Sequence, residues 1–226
     1  MGLRDHETDR LGTSGGDLEI TFLGHGSLLF TFHEERIYVD PFSEVADYAT
    51  LPKADLVLIS HEHSDHLDPQ ALACIRTEAT DIVCTEHCRE KVDGGTIMRN
   101  GDVTVIRGLQ IEAIPAYNLI HKRDSGDPFH PHGDGNGYVI TFGDLRVLVA
   151  GDTENTPELK TQSDIDVAFL PMNLPYTMTP EMVADVAVVM QPSILYPYHF
   201  GSTDTSQLID LLKDHPEIDV RVRSLA

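Results

Sequence analysis

The run ISHEHSDHLDP at residues 59–69 places three imidazoles and a carboxylate, His61, His63, Asp65 and His66, within six positions. The apolar segment DLVLIS before it reads as a buried strand. LDPQALACI after it reads as the start of a helix over 69–77, with Asp68 as N-cap and Pro69 as the first helical residue. The run therefore has to be a strand-to-helix turn, and a sheet edge is rigid enough to aim four side chains at one point. Strand alternation lets His61 and His63 share a side, while Asp65 and His66 converge from the turn. Neutral imidazole and carboxylate are the donors that Zn2+ and other borderline divalent metals prefer. A solvated polar turn would give no reason for so many titratable groups in one place.

The rest of the chain reads as strand-rich, then alternating. LEITFLG, SLLFTF and RIYVD suggest an antiparallel meander, and DLVLIS, a helix and DIVC follow as strand, helix, strand. DVTVIRG with LQIEAIPAY suggests a hairpin turning near Gly108, and GYVITFG with LRVLVAGD a second one turning at Gly143-Asp144. Residues 180–190 read as a helix capped by Thr179 and opened by Pro180, with Val183, Val186, Ala187 and Met190 at helical spacing. A further helix is expected near 205–213, before a last strand in IDVRV. No repeat is visible at 20–50 residues. Residues 1–17 contain no apolar stretch and read as a flexible lead-in rather than a secretory leader, leaving 18–226 as one domain.

Charge narrows the partners. At 226 residues the formal net charge is −21. With no basic stripe, a nucleic-acid backbone is not an expected partner, because there is no counterion release to drive binding. No 18-residue apolar run exists to span a membrane. The three cysteines, Cys74, Cys84 and Cys88, suit a reducing compartment, so a cytoplasmic location is expected. Cys84, His87 and Cys88 lack a fourth nearby ligand and read as structural, with TEHCRE opening a helix. Nothing in the sequence argues against a homo-oligomer.

H-x-H-x-D-H after an apolar strand resembles the signature of the metallo-β-lactamase superfamily. VLVAGDTE (147–154) resembles the strand whose terminal Asp bridges two metals, and ILYPYHFGSTD (194–204) resembles the late strand with the last His ligand. ITFLGHGSLLFTF (20–32), IYVDPF (37–42) and LPMNLPYTMTPEMVADVA (170–187) resemble the branch of ascorbate-6-phosphate lactonase and related metal-dependent hydrolases. The resemblance implies an α/β fold, a four-layer αββα sandwich.

It also implies a ligand set. His61 and His63 would hold the first metal, Asp65, His66 and His199 the second, and Asp152 both. The family's third His on the first metal is missing from its common place, where this chain reads Ala116-Tyr117-Asn118. His121, His130 and His132 follow in the loop 117–135. His130, held extended by Pro131, is the first choice, His132 the second, and Asn118 a weak oxygen donor. A loop of this length in a compact domain is often functional. His25, in LGHGS, is expected near the metals, as a substrate donor or a support for a ligand. Asp40 is expected to accept from a ligand imidazole N–H. Tyr117, Asn173, Tyr176 and Met178 are candidates for the pocket wall.

The expected cofactor is a pair of divalent metal ions, Zn2+ first, with Mn2+, Ni2+ or Fe compatible with the same donors. The expected reaction is hydrolysis of a small ester, lactone or phosphodiester by a metal-bridged hydroxide, with Asp65 or Asp152 handling the proton. Two other readings use the same residues: a di-iron redox protein, and a metal-binding sensor without turnover. Metal analysis separates the first of these from the hydrolase, and turnover separates the second.

Overall fold

Each half of the chain opens with an antiparallel meander and closes with parallel strands. The computed structural model describes residues 2–225. In the first half β1 (Glu7–Thr13), β2 (Gly16–Gly24), β3 (Ser27–Phe32) and β4 (Glu35–Val39) pair antiparallel. β5 (Leu56–Leu58), β6 (Asp81–Cys84) and β7 (Thr96–Ile97) then continue the sheet in parallel. The second half repeats the plan. β8 (Val103–Ile106), β9 (Leu109–Ala116), β10 (Gly135–Phe142) and β11 (Leu145–Val149) are antiparallel. β12 (Val167–Pro171), β13 (Ile194–Tyr198) and β14 (Asp219–Val220) are parallel.

The duplication reaches single residues. Thr31-Phe32 and Arg36-Ile37-Tyr38-Val39 recur as Thr141-Phe142 and Arg146-Val147-Leu148-Val149. Asp55 Oδ2 accepts from the Arg36 backbone N–H at 2.9 Å, and Asp166 Oδ2 accepts from that of Arg146 at 2.8 Å. The repeat thus spans half the chain, well outside the 20–50-residue window.

The inner strands are apolar on both sides because both faces of each sheet are covered there. Leu28 and Phe30 of β3 point into the core between the sheets, against Tyr138, Ile140 and Phe142 of β10. Leu29 points the other way, into a cluster with Ala71, Leu72 and Ile75 of α1 (Pro69–Ile75). The outer face of the second sheet is covered by α2 (Pro157–Lys160), α3 (Pro180–Met190) and α4 (Thr205–Leu211), through Leu159, Val183, Ala187 and Leu208. The result is the four-layer αββα sandwich.

Local signals set the helix starts. Asp68 accepts from the N–H groups of Gln70 and Ala71 ahead of Pro69, and Thr179 accepts from Met182 ahead of Pro180. α3 stops where Gln191 turns left-handed. Among the described residues, no helix is long and apolar enough to cross a membrane.

Three expectations need correction. Within the supposed lead-in 1–17, Glu7–Thr13 is an edge strand paired along its length with β2, and β2 itself begins at Gly16. Polar side chains hide it from a hydropathy reading. It is held by ladder hydrogen bonds and by Asp9, which pairs with Arg223 at 3.0 Å and accepts from Tyr196 Oη at 2.5 Å. The segment after β6 is a short 3-10 turn, Glu86–Glu90, not an α-helix. The last strand is only Asp219–Val220.

Candidate metal centre

The loops that leave β4, β5, β9, β11 and β13 at their C-terminal ends meet at one edge of the sandwich. This is where open α/β sheets place their ligands. His61, His63, Asp65 and His66 come from the β5–α1 turn, His130 from the loop before β10, Asp152 from beyond β11 and His199 from the end of β13. Their donor atoms fall into three groups, each within 4.8 Å, the first two sharing His61: His61, His63 and His130; His61, His66 and Asp152; His25, Asp65 and His199. His25 is therefore placed beside Asp65 and His199. Its Nε2 lies 3.1 Å from Asp65 Oδ2, and its ring packs on that of His199 with centroids 3.7 Å apart.

Several of these residues are conformationally held. His25 (φ 52°), Asp40 (φ 45°) and His199 (φ 46°) all sit in the left-handed region, which side chains with a Cβ seldom adopt. Such strain persists only where the surroundings fix it, and here three instances gather around one site.

Behind the donors lies a buried network that sets which ring nitrogen faces inward. Asp40, fully buried, accepts from the Ser60 N–H at 2.7 Å, from Ser60 Oγ at 2.6 Å and from His66 Nδ1 at 2.7 Å. His66 thus turns Nε2 to the centre. Ser60 Oγ also lies 2.9 Å from His61 Nδ1, leaving His61 Nε2 inward.

The loop residue His130 is fixed in the same way. Asn118 Nδ2 donates to Glu154 Oε1 at 3.1 Å and to the Tyr176 carbonyl at 2.8 Å, so its Oδ1 faces His130. Glu154 is itself fully buried and accepts from the N–H groups of Leu119, Ile120 and His121.

The donors fit cations. His66 Nε2 and His199 Nε2 face each other at 3.1 Å, and His61 Nε2 and Asp152 Oδ1 are buried with no hydrogen-bond partner among the described residues. Buried polar atoms left this way are costly unless something else satisfies them. The protonation states agree. Burial pushes the His61 and His63 imidazoles below the usual histidine range, towards the neutral form that binds metal. For Asp65, burial favours the neutral acid, but bonds from His199 and His25 outweigh it and hold the carboxyl low. For Asp152, burial is likewise outweighed by the charges of His199, His66 and His130. Of these groups His66 alone is pushed up, because Asp152 and Asp40 overcome burial, so a cation bound there would have to displace its proton.

Other expected residues separate. His121 Nδ1 lies 2.8 Å from Glu154 Oε1 and joins no donor group among the described residues. His132 is exposed and packs edge-on to Tyr117 with centroids 4.4 Å apart, away from the donors. Asn118 is buried behind His130, not among the donor groups. Asn173 and Tyr176 line the cleft with His63, Asp65, His130 and His199. Met178 is instead buried in the helix-side core, and Tyr117 donates its hydroxyl to Glu158. Sequence reasoning missed Ser60, Glu154 and Arg123. Ser60 adjoins the His run, but nothing local marks Glu154 as buried or Arg123 as lining the cleft.

A family model described as a beta-lactamase superfamily domain matches residues 19–199. A UPF0173 metal-dependent hydrolase of Methanopyrus kandleri is 28% identical over 196 residues, 82% of this chain and 85% of that one. A solved structure from Parabacteroides distasonis, described as a metal-dependent hydrolase, superposes with TM-score 0.93 at 48% identity and covers 98% of this chain and 100% of its own. The metallo hydrolase Igni18 of Ignicoccus hospitalis superposes with TM-score 0.73 at 22% identity, over 92% of this chain and 96% of that one, a likeness of fold.

Proposed function

The chain belongs to the metallo-β-lactamase superfamily, and we propose that it is a metal-dependent hydrolase that holds two divalent cations and cleaves a small ester, lactone or phosphodiester. Asp152 carries this reading. Its Oδ2 lies 3.1 Å from His130 Nε2, while its Oδ1 lies 3.5 Å from His66 Nε2 and 3.6 Å from His199 Nε2. One carboxylate therefore reaches both sets of imidazoles, an arrangement suited to two neighbouring cations. His61, His63 and His130 would hold one cation, and Asp65, His66 and His199 the other, with Asp152 shared. Bound there, the cations would acidify a water towards neutral pH and polarise the substrate oxygen. Zn2+ suits this donor set best, and Mn2+, Ni2+ or Fe also match it. Relatives described as metal-dependent hydrolases support the reaction class.

The chain's own residues supply the rest. The Asp65 side chain is 34% exposed and lines the cleft, with Oδ2 oriented by His25 at 3.1 Å. Being open to the cleft, this carboxylate is the one placed to take the proton of an attacking water. Asp152 is buried, with both oxygens turned to imidazoles, and is poorly placed for that task. The cleft, about 400 Å³, suits a small molecule. A −21 chain is a poor match for a nucleic-acid backbone, and its free cysteines suit the reducing cytoplasm.

The test is metal analysis with turnover on a panel of small esters, lactones and phosphodiesters, beside single-stranded RNA at low salt. Metal-dependent turnover of a small substrate that chelation abolishes supports the reading. Bound metal without turnover on any class would favour a sensor, and efficient salt-sensitive RNA cleavage would favour a nuclease.

A further inference from the structure

Arg123 is a cation without a carboxylate in a chain rich in carboxylates. The sequence has 37 acidic residues against 16 basic ones, and most arginines, Arg107, Arg146, Arg221 and Arg223 among them, pair with acids, whereas among the described residues Arg4, Arg36, Arg76 and Arg123 do not. Arg123 lies within ion-pair reach of none among the described residues, yet it lines the same cleft as His63, Asp65, His130 and Asp152.

Its position is built. Residues 122–128 form a small hairpin through the Lys122–Pro128 bridge, and the Arg123 N–H donates to the Asp127 carbonyl at 2.8 Å. The guanidinium lies 5.2 Å from the centroid of the Phe129 ring and donates through Nη2 to the Phe129 carbonyl at 3.2 Å. Phe129 in turn packs edge-on to Tyr176 with centroids 5.0 Å apart, and the next residue is His130. The arginine is thus tied to the wall that carries a proposed ligand, while Nε and Nη1 have no partner among the described residues. A planar guanidinium with free N–H groups is matched to carboxylate and phosphate.

We infer that Arg123 is the residue that selects the substrate, and that the substrate carries a carboxylate or phosphate group separate from the bond that is cleaved. The inference rests on the hydrolase reading of the same cleft. The long-range field of a −21 chain repels anions, so such a substrate needs a local cation. Arg123 supplies it from the wall of the cleft, leaving the donor cluster to the scissile group.

Matched aryl esters whose acyl chains end in methyl, carboxylate or phosphate test this, assayed with the metal-loaded protein and with R123Q and R123K. The wild-type chain should prefer one of the charged esters. R123Q should lower kcat/KM for that ester by about 10- to 100-fold, mainly through KM, with the methyl-ended ester unchanged and R123K intermediate. A neutral preference in the wild type, or an equal fall on all three esters, would overturn the inference while leaving the hydrolase reading intact. Preference for one charged ester tells carboxylate from phosphate.

A binding measurement separates the two readings. Calorimetry should show glutarate or 3-phosphonopropionate binding more tightly than butyrate, with R123Q removing that advantage at unchanged metal content. If no ester is cleaved but the advantage appears and depends on Arg123, the hydrolase reading fails and the anion site stands. An advantage that is absent, or that persists in R123Q, overturns the anion site.

Discussion

Asn118 Oδ1 accepts from His130 twice, from the backbone N–H at 2.7 Å and from ring Nδ1 at 2.8 Å. Because Asn118 Nδ2 is occupied by Glu154 and Tyr176, the amide cannot turn round, and His130 is left with Nε2 free towards Asp152. The loop thus brings in its imidazole with the tautomer already chosen. Residues that orient a ligand imidazole in this way typically matter 10- to 100-fold in metal affinity.

Asn118→Ala should therefore weaken one metal site by about 10- to 100-fold and leave the other nearly unchanged. His130→Ala should act on the same site, more strongly, and His121→Ala should not. Two-site metal titration followed by calorimetry reads this directly. Equal weakening of both sites, or none, would mean that His130 is not a ligand.

Much of this site was legible because its signals are local. Four donors sit in one six-residue run, which pattern alone nominates, whereas Asp152 and His199, each at the end of an apolar strand, are nominated by the superfamily resemblance. His130 was nominated by its place before Pro131 in a long loop, and the fold brings it beside His61 and His63. The contacts that fix it were not legible, because Glu154 and Asn118 meet across 36 residues of sequence. Strand β1 was lost for a related reason: its stability lies in pairing and in Asp9, which is bonded to Arg223 at a separation of 214 residues, not in its own hydropathy. The superfamily is established by similarity along most of the chain, while the lactonase-like branch rests on motif resemblance alone.

Asp40 should matter to stability as well as to the site. Its carboxylate is fully buried and accepts from Ser60 and His66, so Asp40→Ala leaves their donors unpaired. Breaking such a network should cost about 3–5 kcal/mol. Urea unfolding of the metal-free protein measures it. A cost below about 1 kcal/mol would show that water replaces Asp40 without penalty.

Asp68 links the site's turn to pH. Burial works against its charge, but hydrogen bonds from Ser43, and from Gln70 and Ala71 at the start of α1, outweigh it and hold the carboxyl below its usual range. A depressed carboxyl contributes stability that is full above its unfolded-state pKa, near 3.9, and is lost as pH falls through the folded value. Asp68→Ala should cost about 1 kcal/mol at neutral pH, and the difference from wild type should shrink below about pH 4. Denaturant unfolding at several pH values checks both, and a pH-independent difference would contradict it.

Asp9→Ala should loosen the edge strand without touching the metals. Loss of its partly buried pairing with Arg223 should cost about 1 kcal/mol, which lowers Tm by roughly 2–4 °C in a chain of this size. Thermal unfolding gives the shift, and metal content should be unchanged. A fall in bound metal would show that β1 supports the site.

The most direct test is metal stoichiometry in the wild-type chain and in Asp152→Ala, purified without chelator and reloaded with Zn2+. Two ions per wild-type chain are predicted, with Asp152→Ala losing metal and hydrolytic turnover together while keeping the wild-type circular dichroism spectrum. A wild-type chain that neither carries nor takes up metal, or an Asp152→Ala variant that keeps both ions and full turnover, would contradict the account.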